Sequence, residues 1–236
     1  MEFVKLLILG LTKTTLLDFP GMVACTVFTG GCNFRCPFCH NGQLVEEIDT
    51  SNAVSEEEIW QLLDKRKNVL KGVCISGGEP TLQPDIIDFI KQIKDRGYKV
   101  KLDTNGYKPE ILEYLLEKKL VDYVAMDIKN SRRRYAETTG INDLDFKKIQ
   151  ISVDLLKRGT TDYEFRTTVV RQYHTQEDLD DIGRFVCEEG KWYIQSYKDS
   201  DNVLKAGLSA YTDNEITDLF KNIKTKRNNI FLRGIE

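Results

Sequence analysis

Apolar residues along this chain recur in two alternating patterns, short continuous runs and longer stretches with one apolar face. Val23-Ala24-Cys25-Thr26-Val27-Phe28 is nearly continuous, as expected of a parallel strand buried on both faces. Ser55-Glu56-Glu57-Glu58 reads as a capping box, and Ile59, Leu62 and Leu63 supply a helical stripe behind it. A strand from Gly72 to Ser76 follows and runs into Gly77-Gly78-Glu79-Pro80. Pro84-Asp85 opens a helix carrying Ile86, Ile90 and Ile93, which Gly97 stops. The alternation continues with a strand at Tyr98 to Leu102, a helix from Pro109 to Lys118 and a strand at Tyr123 to Met126. Phe146, Ile149, Val153 and Leu156 mark a helix ended by Gly159, and a strand spans Tyr163 to Val170. Leu179, Ile182, Phe185 and Val186 define the next helix, and Trp192 to Gln195 the next strand. A second capping box, Thr212 to Glu215, starts a terminal helix, and Asn229 to Leu232 form an edge strand.

Six strand-then-helix units without a proline-rich linker or repeat predict one α/β domain with a parallel sheet. Within 1–236 the expected parts are an N-terminal strand region at 1–21, a βα core at 22–197, and a C-terminal helix and edge strand at 198–236. Periodicity does not separate a doubly wound sheet from a barrel. Polar residues close nearly every strand, however, as an active site at the C-terminal mouth of a barrel requires. No dinucleotide-binding glycine fingerprint stands where a Rossmann fold would need it.

Composition narrows the class. With 41% hydrophobic and 30% charged residues, the 236-residue chain has the profile of a soluble globular protein. A net charge of −3 argues against nucleic-acid binding. The basic runs Arg132-Arg133-Arg134 and Lys224-Thr225-Lys226-Arg227 read as solvated faces. The apolar opening, Met1 to Leu11, is too short for a membrane span and lacks a small-residue cleavage site before Asp18, so it reads as an early strand. The expected location is the cytoplasm, with no membrane partner; there, cysteines stay reduced.

That matters because six cysteines are present. Cys25, Cys74 and Cys187 sit in apolar segments and read as small core residues. Cys32, Cys36 and Cys39 instead crowd one loop, Gly30 to Asn41, opened by two glycines. Three thiolates that close repel one another unless a cation gathers them. Structural zinc takes four ligands, and adjacent residues such as Cys39 and His40 rarely meet at one ion. Three local cysteines suit an iron–sulfur cube with one iron left for a ligand from outside the chain. A non-catalytic zinc-binding interaction protein is the competing reading. His174 lies in a polar loop and is expected to be exposed.

The C-x3-C-x2-C spacing with Phe38 before the last cysteine resembles the radical S-adenosylmethionine (SAM) enzymes. His40-Asn41 and Asp18-Phe19-Pro20-Gly21 resemble the glycyl-radical-enzyme activases among them, most of all those serving anaerobic ribonucleoside-triphosphate reductase. The resemblance implies an open partial (β/α)6 barrel, a [4Fe-4S] cluster on Cys32, Cys36 and Cys39, and SAM at the remaining iron. It further implies that SAM cleavage yields a 5′-deoxyadenosyl radical that takes a Cα hydrogen from a partner's glycine. A flavodoxin- or ferredoxin-type donor would supply the electron.

On the same ground Phe38, Gly77, Gly78, Glu79, Asp103 and Thr104 are expected around SAM, with a monovalent cation near Asp103. Glycines let a backbone edge approach a ligand closely. Asp127 and Lys129, two apart, project to one side, where Lys129 could meet a carboxylate. Arg166 in an apolar strand needs a partner, and Gln195 closes the sixth strand. No histidine stands near Gln195, as one does in the activase for pyruvate formate-lyase. His40 and Asp18 are expected on the substrate side. A radical SAM enzyme acting on a small molecule, such as a deazaguanine synthase, is the other reading.

Overall fold

The structure is a computed structural model, and it describes residues 6–46, 48–186, 190–200, 202–224 and 227–235. The chain divides into two compact units. The first comprises 1–33, 43–104 and 110–124; the second comprises 34–42, 105–109 and 125–236.

The first unit begins with β1 (Ile8–Thr15), which pairs antiparallel with β2 (Ala24–Thr29). β3 (Gly72–Gly77) and β4 (Lys99–Thr104) then add in parallel, with Ala24 opposite Gly72 and Gly72 opposite Lys99. The intervening helices are α1 (Glu56–Lys65) and α2 (Ile86–Asp95). Ser55 caps α1 in the expected reciprocal box, its side chain accepting from the Glu58 N–H while Glu58 accepts from the Ser55 N–H. α1 buries Ile59, Trp60 and Leu63, and α2 buries Ile86, Phe89, Ile90 and Ile93; Trp60 packs on Phe89 at 5.1 Å between ring centroids. Each such side chain contributes roughly 1.5–3 kcal/mol on burial. Gly97 ends α2 with φ +84°, the left-handed conformation that glycine adopts without steric cost. α3 (Pro109–Glu117) leads to β5 (Tyr123–Asp127), along which the chain passes into the second unit.

There α4 (Tyr135–Thr139) and α5 (Phe146–Arg158) precede β6 (Asp162–Val169). α6 (Gln176–Val186), β7 (Lys191–Ser196), α7 (Asp213–Lys224) and β8 (Ile230–Arg233) follow. β6, β7 and β8 are mutually parallel, with Arg166 opposite Tyr193 and Tyr193 opposite Phe231. One face of this sheet is apolar: Phe165, Trp192, Ile194 and Ile230 are buried, and the Trp192 indole N–H donates to the buried Thr167 hydroxyl at 3.0 Å. Alternation therefore places Arg166, Tyr193, Gln195 and Phe231 on the opposite face.

Every predicted strand and helix is present, with shifted ends. Gly77, Thr104 and Asp127 are the last residues of their strands rather than loop residues. The short α4 carries no apolar period long enough to be read, and the N-terminal strand runs past Leu11 to Thr15. The expected edge strand is β8. Met1 to Lys5, Cys187, Thr225 and Lys226 lie outside the described residues. Among the described residues no helix is long and apolar enough to cross a membrane.

Replacing Ser55 with alanine should lower stability by about 1 kcal/mol, the usual cost of a lost cap. A urea midpoint shift at unchanged slope checks it.

Candidate cofactor site

In the first unit two glycine pairs meet. The chain leaves β2 at Thr29 and enters Gly30-Gly31, while β3 ends in Gly77-Gly78-Glu79. The Gly78 N–H donates to the Thr29 carbonyl and the Glu79 N–H to the Gly31 carbonyl, both at 2.8 Å. A Cβ on Gly78 would stand 2.0 Å from the Gly31 oxygen, and one on Gly77 2.4 Å from the Thr29 backbone. Only glycine permits two backbones that close. Gln83 secures the junction by donating to the Gly30 carbonyl at 2.6 Å while accepting from the Leu7 N–H at 3.0 Å.

Glu79 is buried, and its Oε1 accepts from the Thr81 N–H, the Thr81 hydroxyl and the Thr104 hydroxyl at 3.1, 2.5 and 2.7 Å. Thr104 thereby links β4 to the Gly-Gly-Glu segment. Asp103 accepts from Ser76 at 3.1 Å and from the ammonium of Lys101, a buried lysine that also lies 3.7 Å from Cys74 Sγ. Lys101 was missed by sequence reasoning. Its signal was a lone charge between Val100 and Leu102, two residues before Asp103 and so on the same face. Asp18 accepts from the Thr26 hydroxyl at 2.5 Å.

Cys32 belongs to the first unit, Cys36 and Cys39 to the second. The second-unit part of the loop is tied down by its backbone: Arg35 N–H to the Thr139 carbonyl at 2.7 Å, Cys39 N–H to the Cys36 carbonyl at 3.0 Å, and Lys205 N–H to the Pro37 carbonyl at 2.9 Å. Phe34, Cys36 and Phe38 are buried, and His40 packs on Tyr197 at 5.7 Å. Burial and the nearby Lys129 charge hold the His40 pKa below the usual histidine value, with Asp199 opposing. Cys25, Cys32, Cys36, Cys39 and Cys74 are thiols rather than disulfides, and burial pushes the Cys25 thiol up to about 12, as a core residue should show. Among the described residues no three His, Cys, Asp or Glu side chains are gathered to hold a single metal ion. A cube makes a different demand, because its irons each take their own thiolate.

Asp127 joins two cations. Its Oδ2 is 2.9 Å from Lys129 Nζ and its Oδ1 accepts from Arg166 Nε at 2.9 Å. Burial alone would raise the Asp127 pKa, but Arg166 and Lys129 outweigh it and hold the carboxyl at about 2. Burial likewise works against the Lys129 charge. Asp127 reverses that effect, Cys36 and Cys39 add to it, and the lysine pKa rises. Two cations thus meet on one carboxylate, and the Lys129 ammonium lies beside Cys36 and Cys39. Gln195 is half-buried in β7, opposite Thr168 of β6.

His174 corrects the sequence reading. It is fully buried, not exposed, with Tyr173 and Phe38 as neighbours. The misleading polar residues around it are spent internally. Arg134 donates to the Tyr173 carbonyl at 2.6 Å, and the buried Asp178 caps α6 through the Thr175 N–H at 3.1 Å. The arginine run is correspondingly less solvated than its composition suggests: Arg133 is exposed, but Arg134 is bound to Glu137 and Asp178. A cavity of about 600 Å³ between Ser131–Arg133 and α6 holds none of the predicted site residues.

With this geometry in view, comparison with known proteins identifies the class. Residues 26–186 match the description of the Radical SAM superfamily, and the chain belongs to that superfamily, with its α/β partial-barrel fold. Over 98% of its length it is 34% identical to a protein of Methanocaldococcus jannaschii assigned as a glycyl-radical enzyme activating enzyme, covering 97% of that relative. A probable GTP 3′,8-cyclase of Sulfurisphaera tokodaii is 31% identical over 67% of this chain and 50% of its own. Among solved structures, Streptococcus suis SuiB bound to S-adenosylmethionine superposes with a TM-score of 0.66 at 19% identity, covering 86% of this chain and 48% of SuiB. The chain is thus a radical SAM enzyme of the glycyl-radical-activating type, a class whose cofactors are SAM and a [4Fe-4S] cluster.

Two outcomes are expected. Gly78→Ala should prevent closure of the glycine junction, seen as a lower melting temperature together with loss of SAM binding; Gly21→Ala, strained by its φ of +73° but with nothing within 4 Å of its Cβ, should lower the melting temperature while leaving SAM binding unchanged. His174 has its pKa lowered from 6.5 to about 4 by burial. Its neutral form stabilises the fold fully above pH 6.5, and that contribution is lost as pH falls toward 4. His40 shifts in the same direction, so the measurement is a difference: apo-protein urea stability between pH 6.5 and 4.5 should fall less steeply in His174→Gln than in the wild type.

Proposed function

We propose that Cys32, Cys36 and Cys39 hold the [4Fe-4S] cluster and that the protein installs a glycyl radical on a partner enzyme, anaerobic ribonucleoside-triphosphate reductase. The observation that carries this reading is that Lys129 and Arg166 converge on Asp127, with the Lys129 ammonium beside Cys36 and Cys39, an arrangement of cations suited to the carboxylate of SAM. Similarity to the M. jannaschii relative along nearly the whole of both chains supports the glycyl-radical assignment.

When bound, the cluster and SAM supply one-electron cleavage of a sulfur–carbon bond, giving methionine and a radical able to take a glycine Cα hydrogen. The chain's own residues bind and orient. Lys129 and Arg166 provide the counter-charge, with Asp127 fixing their heads. Gly77, Gly78 and Glu79 present a backbone edge to the methionine ammonium, braced by Thr104 through Glu79. Asp103 and Gln195 complete the SAM walls, and Phe38 shields the cysteine loop from water. Glycine suits the reaction because no side chain shields its Cα. Asp18 and His40 face the incoming segment. The residues act within a single radical SAM domain, 1–236, in the cytoplasm, with an electron donor of flavodoxin or ferredoxin type. A monovalent cation at Asp103 would share that carboxylate with the Lys101 ammonium. Comparing turnover in sodium, potassium and cation-free buffer decides whether one is used.

The S. tokodaii relative favours a second reading, action on a small molecule. Reduced, reconstituted protein with SAM should produce a glycyl radical by electron paramagnetic resonance in a co-encoded partner; absence of that signal, with SAM still cleaved, would favour the small-molecule reading. Cys36→Ala should abolish cluster absorption and SAM cleavage while the circular dichroism spectrum stays unchanged, and undiminished cleavage would overturn the cluster assignment.

A further inference from the structure

Lys129 has both of its backbone polar groups held by buried rings. Its N–H donates to the Tyr135 hydroxyl at 3.3 Å, and its carbonyl lies 2.9 Å from His174 Nε2. The tautomer follows from the other ring nitrogen. Nδ1 accepts the Val170 N–H at 3.2 Å, so a neutral His174 carries its proton on Nε2 and donates it to Lys129. Tyr135 oxygen also lies 3.5 Å from the Asp127 carbonyl. Both rings are fully buried.

Each ring touches the cysteine loop. Phe34 meets Tyr135 edge-on at 6.4 Å and 74°, and Phe38 meets His174 edge-on at 5.9 Å and 64°. Phe34 and Phe38 stand two residues to either side of Cys36. Two linkages therefore run side by side. One goes from Phe34 through Tyr135 to the Lys129 N–H, the other from Phe38 through His174 to the Lys129 carbonyl.

We infer that Tyr135 and His174 are positioning residues that clamp the Lys129 backbone to the segment around Cys36, so that the lysine ammonium meets its ligand's carboxylate at a fixed distance from the metal site. This rests on the proposed role of Lys129 as the counter-charge to SAM. The clamp answers a physical problem. A lysine reaches its partner on a flexible four-carbon stem, and a displacement of about 1 Å in a positioning group can cost about a hundredfold in rate. Fixing both backbone atoms removes the part of that freedom which the ion pair with Asp127 cannot.

Four variants test it: Tyr135→Phe, His174→Leu, His174→Gln and Lys129→Met. In reconstituted protein, SAM titration is followed by the paramagnetic resonance change of the reduced cluster, and cleavage kinetics separate KM from kcat. Losing one buried hydrogen bond should weaken SAM binding about fivefold to tenfold in Tyr135→Phe, and somewhat more in His174→Leu, with KM moving further than kcat. His174→Gln, whose amide can both donate to Lys129 and accept from Val170, should recover most of the loss. In the apo-protein, hydrogen exchange at the Lys129 amide should accelerate in Tyr135→Phe, a readout independent of the cluster. Unchanged SAM affinity in both Tyr135→Phe and His174→Leu, at full cluster content and with Lys129→Met weakened, would overturn the clamp. Unchanged affinity in Lys129→Met would instead overturn the role of Lys129 on which the clamp rests. Should His174→Leu fail to fold, Tyr135→Phe, which removes a single oxygen, decides alone.

Discussion

The arrangement depends on keeping an ammonium charged where burial would discharge it. Lys129 is half-buried beside Tyr135, His174 and the Cys36 segment, and desolvation opposes its charge. Asp127 overcomes that cost, and its own ionisation is maintained in turn by Arg166 from β6. All three side chains are only partly covered, so removing one weakens the hold on the other two rather than leaving a fully buried charge. Period-two alternation supplies two of the members: Asp127 and Lys129 emerge on one side of the chain, and Arg166 stands on the face of β6 opposite its apolar layer.

Beside the cysteine loop, several of the candidate site residues stand at strand ends. Gly77, Asp103, Thr104 and Asp127 are the closing residues of their strands. A strand end is held by its neighbours' ladder, so its side chains are placed more accurately than those of a mobile loop. In the first unit the consequence is a chain of fixed contacts from Gly31 through Glu79 to Thr104. Glycine makes the closest of these possible. A single added methyl group at Gly78 would fall inside the Gly31 carbonyl oxygen.

Much of this was legible in the sequence. Glycine stops, two capping boxes and the alternating periods located the elements, because each is a local signal with a local cause. The cysteine spacing and Asp127-Ile128-Lys129 announced themselves in the same way. His174 did not: its sequence neighbours Arg171, Gln172, Thr175 and Gln176 are polar, and only the tertiary structure shows that Arg134 and Asp178 close over it. Tyr135 left no signal either, since it follows three arginines and begins a helix of five residues. Lys101 left a faint one. The residues missed share a property. They act by holding other residues, through partners from 2 to 45 positions away.

A division of labour follows. Most residues that would touch a cofactor are charged, polar, cysteine or glycine, types that packing alone does not ask for. Residues that place those groups are aromatic and buried, and in a sequence they cannot be told from core. Phe34 and Phe38 belong to both sets, since they pack like core residues yet sit on the cysteine loop. The cysteine segment is therefore anchored twice on the same residue, Lys129, through rings that contribute hydrophobic burial and a hydrogen bond at once. Burial makes those hydrogen bonds costly to leave unmade. Moving Lys129 away from these rings would leave its own N–H and the His174 N–H without their partners in the interior, a penalty that acts in addition to the ion pair with Asp127.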